Sequence, residues 1–126
     1  MEYKKRVLIV EDDPLLGELL LEHFRKEGIN SELVVDGEKA LDSILNNRPD
    51  LVLLDILLPK MSGLEMLKKL KEANVVPPLS VIILSNFMEE GKIKEGVELG
   101  AKEYMVKSNV DLNDITKKVK GILSIL

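Results

Sequence analysis

Asp50-Leu51-Val52-Leu53-Leu54-Asp55-Ile56-Leu57-Leu58-Pro59 is the stretch on which the fold turns. Four apolar residues run without a polar break and end on one acid, Asp55. A run that short and that apolar fits a strand buried on both faces, as in a parallel sheet. Asp55 then stands at the strand's carboxyl end, the edge where open α/β sheets bind their ligands. Taken alone, an acid in that position can also merely cap a loop, so its meaning depends on the other strand ends.

Upstream, Val7-Leu8-Ile9-Val10 is a second apolar run and ends on Glu11-Asp12-Asp13. Pro14 suits the first position of a helix, with Asp13 as its cap. Leu16, Leu19, Leu20 and Phe24 recur at helical spacing until Gly28. Leu33-Val34-Val35 is a third strand candidate. Asp36-Gly37 turns the chain into a helix with Ala40, Leu41, Ile44 and Leu45 on one face, which Pro49 ends. Downstream, Ser62 and Glu65 form a capping-box pattern for a helix carrying Leu64, Leu67 and Leu70. Pro77-Pro78 breaks the chain before a fourth strand, Val81-Ile82-Ile83-Leu84, which ends on Ser85. Asn86 with Glu89 can cap a fourth helix, with Ile93 and Val97 facing inward. Gly91 and Gly96 weaken that helix by roughly 1 kcal/mol each. Glu103-Tyr104-Met105-Val106 is a fifth strand and ends on Lys107. Asp111 caps a last helix with a stripe of Leu112, Ile115, Val119, Ile122 and Leu126; Lys117, Lys118 and Lys120 cover its other side.

Five strands alternating with five helices imply right-handed crossovers and a parallel sheet. The expected fold is a doubly wound, three-layer α/β sandwich, a single domain over residues 1–126 with no effector domain attached. A chain of 126 residues buries enough surface to need no staples. It has no Cys, which excludes disulfides and thiol chemistry, and His23 is its only His, which excludes a His-rich metal site. The net charge of −4 offers no basic footprint for nucleic acid. No apolar run approaches a membrane span or signal peptide, so a cytoplasmic location is expected.

In a parallel sheet all strand-end residues meet at one edge. Glu11-Asp12, Asp55, Ser85 and Lys107 occupy the ends of strands one, three, four and five. In the order 2-1-3-4-5, strands one and three are neighbours about 5 Å apart. Glu11, Asp12 and Asp55 then repel one another unless a cation sits among them. Oxygen ligands alone suit a hard divalent cation, Mg²⁺ above all. A cation, a hydroxyl and an ammonium around a carboxylate are what a transferred phosphoryl group needs.

Val-Leu-Ile-Val-Glu-Asp-Asp-Pro (7–14), Leu-Leu-Asp-Ile-Leu-Leu-Pro-Lys-Met-Ser-Gly (53–63), Ile-Ile-Leu-Ser (82–85) and Gly-Ala-Lys-Glu-Tyr-Met-Val-Lys (100–107) together resemble the receiver domains of two-component response regulators, over the whole chain. The strand order above comes from that resemblance, which implies a flavodoxin-like sheet. It implies that Asp55 accepts a phosphoryl group from a histidine kinase or a histidine phosphotransfer protein. Glu11, Asp12, Asp55 and the backbone carbonyl of Leu57 would hold Mg²⁺. Ser85 would be the switch hydroxyl, Lys107 the phosphate's counter-charge, and Tyr104 an aromatic that swings inward when Ser85 moves. The surface of the fourth helix, fifth strand and fifth helix would then change its affinity for a downstream protein. The implied chain is a switch, monomeric or dimerising on phosphorylation, and not an enzyme beyond self-phosphotransfer and self-dephosphorylation.

Four positions depart from the family's usual pattern. Ser108 follows Lys107 where the family usually has proline, often after a cis bond; a cis bond before Ser costs roughly 3 kcal/mol, which leaves that loop's geometry open. Asn86 replaces a small residue after the hydroxyl. Leu57 and Phe87 are apolar where many members are polar, which leaves the phosphoryl lifetime open. Two other classes fit the residues less well. A haloacid-dehalogenase-type phosphohydrolase would want a second Asp where Leu57 stands, and a phosphorylation-independent interaction module would have lost its acids or Lys107.

Overall fold

The computed structural model describes residues 5–75, 79–86 and 90–124. The strands are β1 (Arg6–Val10), β2 (Asn30–Val34), β3 (Leu51–Leu54), β4 (Ser80–Ser85) and β5 (Ala101–Val106). They alternate with helices α1 (Pro14–Lys26), α2 (Gly37–Asn46), α3 (Gly63–Glu72), α4 (Glu90–Glu98) and α5 (Leu112–Leu123). All pairings are parallel, in the order β2-β1-β3-β4-β5.

Two cores follow from the two-residue period of a strand. Leu8, Val10, Val52, Leu54, Val81 and Ile83 point to one face and pack with Ala40 and Ile44 of α2 and Leu64, Leu67 and Leu70 of α3. Val7, Ile9, Leu51, Leu53, Ile82 and Leu84 point to the other, against Leu20 and Phe24 of α1 and Ile115, Val119 and Leu123 of α5. Covering both faces is why β3 is apolar at every position.

The caps of α1, α2 and α3 accept from the first turns of their helices. Asp13 Oδ1 accepts from Leu15 N, Asp36 Oδ1 from Lys39 N and Ser62 Oγ from Glu65 N. The reciprocal capping box forms at α5, where Asp111 and Asp114 exchange bonds of 2.9 and 3.2 Å.

Several expectations need correction. β2 is Asn30–Val34 rather than 33–35, because an edge strand keeps half its surface wet and accepts Asn30, Ser31 and Glu32. β5 likewise begins early, at Ala101. Leu19, Leu45 and Val97 are exposed rather than inward. In α4 the inward position is Gly96: a Cβ there would lie 2.6 Å from Ile83 Cδ1, so glycine lets the helix sit down on β4. Lys118 and Lys120 of α5 are not merely solvated; they pair with Glu103 and Glu27. Pro77, Pro78, Phe87, Glu89 and Leu126 lie outside the described residues.

Candidate functional site

Strand pairing carries the acids into one place. Val10 and Leu54 are register partners, so Glu11 and Asp55 leave β1 and β3 side by side. The ladder continues one step beyond each strand: Glu11 N donates to Val34 O at 3.0 Å and Asp55 N to Val10 O at 3.1 Å. Both side chains are buried, Glu11 2% exposed and Asp55 6%, while Asp12 faces solvent. Each of the three offers a carboxylate oxygen, and these oxygens lie within 4.8 Å of one another.

Lys107 sits in the same cluster. Its Nζ is 2.6 Å from Asp55 Oδ2 and 2.7 Å from Glu11 Oε1. The charge that relieves the buried acids is therefore this ammonium, reaching back across β4 from the end of β5. Burial pushes the Glu11 carboxyl above its usual range, and its bonds to Lys107 and Asp13 N–H offset that only in part. Burial alone would lower Lys107, but its bonds to Asp55 and Glu11 and their charges outweigh it and hold the ammonium above its ordinary value. Asp55 Oδ1 also accepts from Leu57 N at 3.2 Å.

Ser85 ends β4, buried, and its side chain is hydrogen-bonded to that of Tyr104 on β5. Burial raises the Tyr104 phenol, and the nearby Asp55 charge adds to it, against the Ser85 bond. The sequence-predicted residues Glu11, Asp12, Asp55 and Lys107 thus meet at one edge, with Ser85 and Tyr104 beside them. Asp13 is the α1 cap, as expected, and not a member of the acid cluster.

Sequence reasoning missed Gly63. A Cβ on it would lie 2.4 Å from the Asp55 carbonyl oxygen, and its N–H donates to Ile56 O at 2.8 Å. Glycine at this position lets α3 begin directly against the backbone that carries Asp55. The bond from Ser108 N to Asn86 Oδ1, 2.9 Å, was missed as well; two polar residues 22 apart give no spacing signal.

Two buried acids, one exposed acid and a lysine ammonium thus meet at the carboxyl edge of a five-stranded doubly wound sheet, the edge at which such folds bind ligands. The chain belongs to the response regulator receiver domain family, whose model matches residues 7–120. It is 39% identical over 119 residues to the sporulation initiation phosphotransferase F of Bacillus subtilis, covering 94% of each chain. It is 32% identical to the transcriptional regulatory protein RprY of Bacteroides fragilis, covering 98% of this chain and about half, 51%, of that protein's length. Its fold matches a chain of the CheX-CheY-BeF3-Mg complex from Borrelia burgdorferi, with a TM-score of 0.83 and 31% identity, covering 94% of this chain and 89% of that one. The chain is a receiver domain of two-component systems. Among the described residues no helix is long and apolar enough to cross a membrane.

Proposed function

We propose that Asp55 is the phospho-acceptor of this receiver and that the pocket around it is a phosphorylation switch. The observation that carries the reading is the Lys107 ammonium bonded to Asp55 and Glu11 at once. One ammonium shared by two buried carboxylates is an arrangement that an incoming phosphoryl group and a metal can divide between them.

The donor set is oxygen only, and three carboxylate oxygens close together fit a hard cation such as Mg²⁺. Glu11, Asp12, Asp55 and the Leu57 carbonyl would hold it. When bound, Mg²⁺ neutralises the carboxylates and the phosphoryl oxygens. Asp55 Oδ attacks the phosphorus of a phosphohistidine donor; the P–N bond breaks as the P–O bond forms, and the histidine nitrogen leaves with its electron pair. The aspartyl phosphate carries a charge of about −1.5 to −2 where the carboxylate carried one, and it sets that charge on three strong acceptor oxygens further out from the Asp55 backbone. Lys107 then gives up Glu11 and follows the new oxygens, and Ser85 turns its hydroxyl from Tyr104 toward them. Tyr104, α4 and the α5 face are the surface whose affinity for a downstream protein changes. Inverting a 1:99 equilibrium takes roughly 5.5 kcal/mol of differential stabilisation, to which the new charge-assisted bonds of Ser85 and Lys107 contribute. The likeness to a chain of a complex named with BeF3 and Mg supports the same chemistry here.

Incubation with a small acyl phosphate and Mg²⁺ tests this. Wild type is expected to gain one acid-stable, hydroxylamine-labile phosphoryl group per chain, and Asp55→Asn none. Equal labelling of Asp55→Asn would remove Asp55 from the role.

A further inference from the structure

Two of the departures noted in the sequence meet in space. Asn86 follows Ser85, Ser108 follows Lys107, and Asn86 Oδ1 accepts from Ser108 N–H at 2.9 Å. The donor is a backbone amide, so the carboxamide must turn its oxygen to it. Ser85 and Val106 are the last register pair of β4 and β5. Beyond them the two chains part, and the Asn86 side chain supplies the acceptor that a continuing ladder would have supplied. Ser108 lies in the 3₁₀ turn Lys107–Asn109, whose own N-cap residue, Val106, makes no side-chain cap bond. The first N–H groups of such a turn lack internal partners. Asn86 satisfies one of them from the neighbouring loop. The family-typical residues do not build this bond: a small side chain at 86 is too short to bring a carboxamide oxygen across, and a proline at 108 has no N–H.

We propose that Asn86 is a positioning residue that clamps the Ser85 loop to the Lys107 loop, so that hydroxyl and ammonium close on the phosphoryl oxygens as one unit. This rests on the reading of Ser85 and Lys107 as the phosphoryl-binding pair. The clamp touches neither β1 nor β3. It therefore acts on anion capture and leaves the metal-holding acids alone, a split that general loosening of the fold would not produce.

The test is a beryllofluoride titration by fluorine NMR at saturating Mg²⁺, paired with a Mg²⁺ titration without the anion. Asn86→Ala is expected to weaken beryllofluoride half-saturation by roughly five- to ten-fold, the worth of one hydrogen bond, with its Mg²⁺ midpoint unchanged. Ser108→Ala keeps the N–H and is expected to match wild type. Ser108→Pro is expected to repeat the Asn86→Ala loss, and the double variant to add nothing. Should the proline variant fail to fold, Asn86→Ala against Ser108→Ala decides alone. The amide of residue 108 is expected to exchange faster with solvent in Asn86→Ala than in wild type. Wild-type anion affinity in Asn86→Ala, an equal loss of anion and metal affinity, or unchanged exchange at residue 108 would each overturn the clamp. A wild type that takes up no beryllofluoride overturns the reading of the pocket itself, and the clamp falls with it.

Discussion

Glu11 and Asp55 extend strands in which every residue but Arg6 is buried, whereas Tyr104 and Lys107 extend or lie on a strand that is half-exposed along most of its length. The first pair is pinned by ladder bonds on both sides of β1 and by α3 pressed against the Asp55 carbonyl. The second is held by the β4 pairing, which carries an irregularity at Val81/Ile82, by one 3₁₀ turn, and by the side-chain bonds of Lys107 and Asn86. The pocket has a fixed half that gathers acids and a half whose positions depend on a few polar contacts. A switch needs both: a rigid charge well, and groups able to exchange partners when its charge changes.

The contrast is open to breakage at several scales. The largest effect belongs to the fixed half. Leu54→Ala, in the core beneath Asp55, is expected to cost about 2–5 kcal/mol in urea unfolding. Val97→Ala on the exposed side of α4 is expected to stay within about 0.5 kcal/mol. Similar losses from both would erase the distinction. Next comes the metal. At a hundredfold excess over its Kd, Mg²⁺ is expected to stabilise the wild type by about 2.7 kcal/mol, read as a rise in melting temperature. Asp12→Asn is expected to lose most of that rise, and an undiminished rise would place the ion elsewhere. Smaller still is the pair of glycines in α4. Gly96→Ala meets Ile83 Cδ1 and is expected to destabilise by about 1 kcal/mol or more. Gly91→Ala, with open space around it, is expected to stabilise by up to about 1 kcal/mol. Equal signs would mean that α4 is not seated on β4 as described.

The same division governs what could be read from the chain. β1, β3 and β4 announce themselves because burial on both faces demands an unbroken apolar run, and an acid or hydroxyl ending such a run is conspicuous. β2 and β5 are blurred at their starts because an edge strand tolerates Asn30, Ser31 and Lys102. Glu11, Asp12, Asp55, Ser85 and Lys107 are legible as strand ends. Their mutual bonding is not: a three-carboxylate site suggested a missing cation, and the chain provides one from Lys107, 52 residues beyond Asp55. Gly96 reads as helix weakness on propensity alone, and only the closeness of Ile83 gives it a packing role.

The most direct test of the central claim is a crystal structure of the chain with beryllofluoride and Mg²⁺. The account predicts the anion on an Asp55 carboxylate oxygen, a metal among Glu11, Asp12 and Asp55, and Lys107 Nζ moved off Glu11 onto a fluorine. Lys107 still bridging Glu11 and Asp55, with anion and metal bound elsewhere, would contradict it.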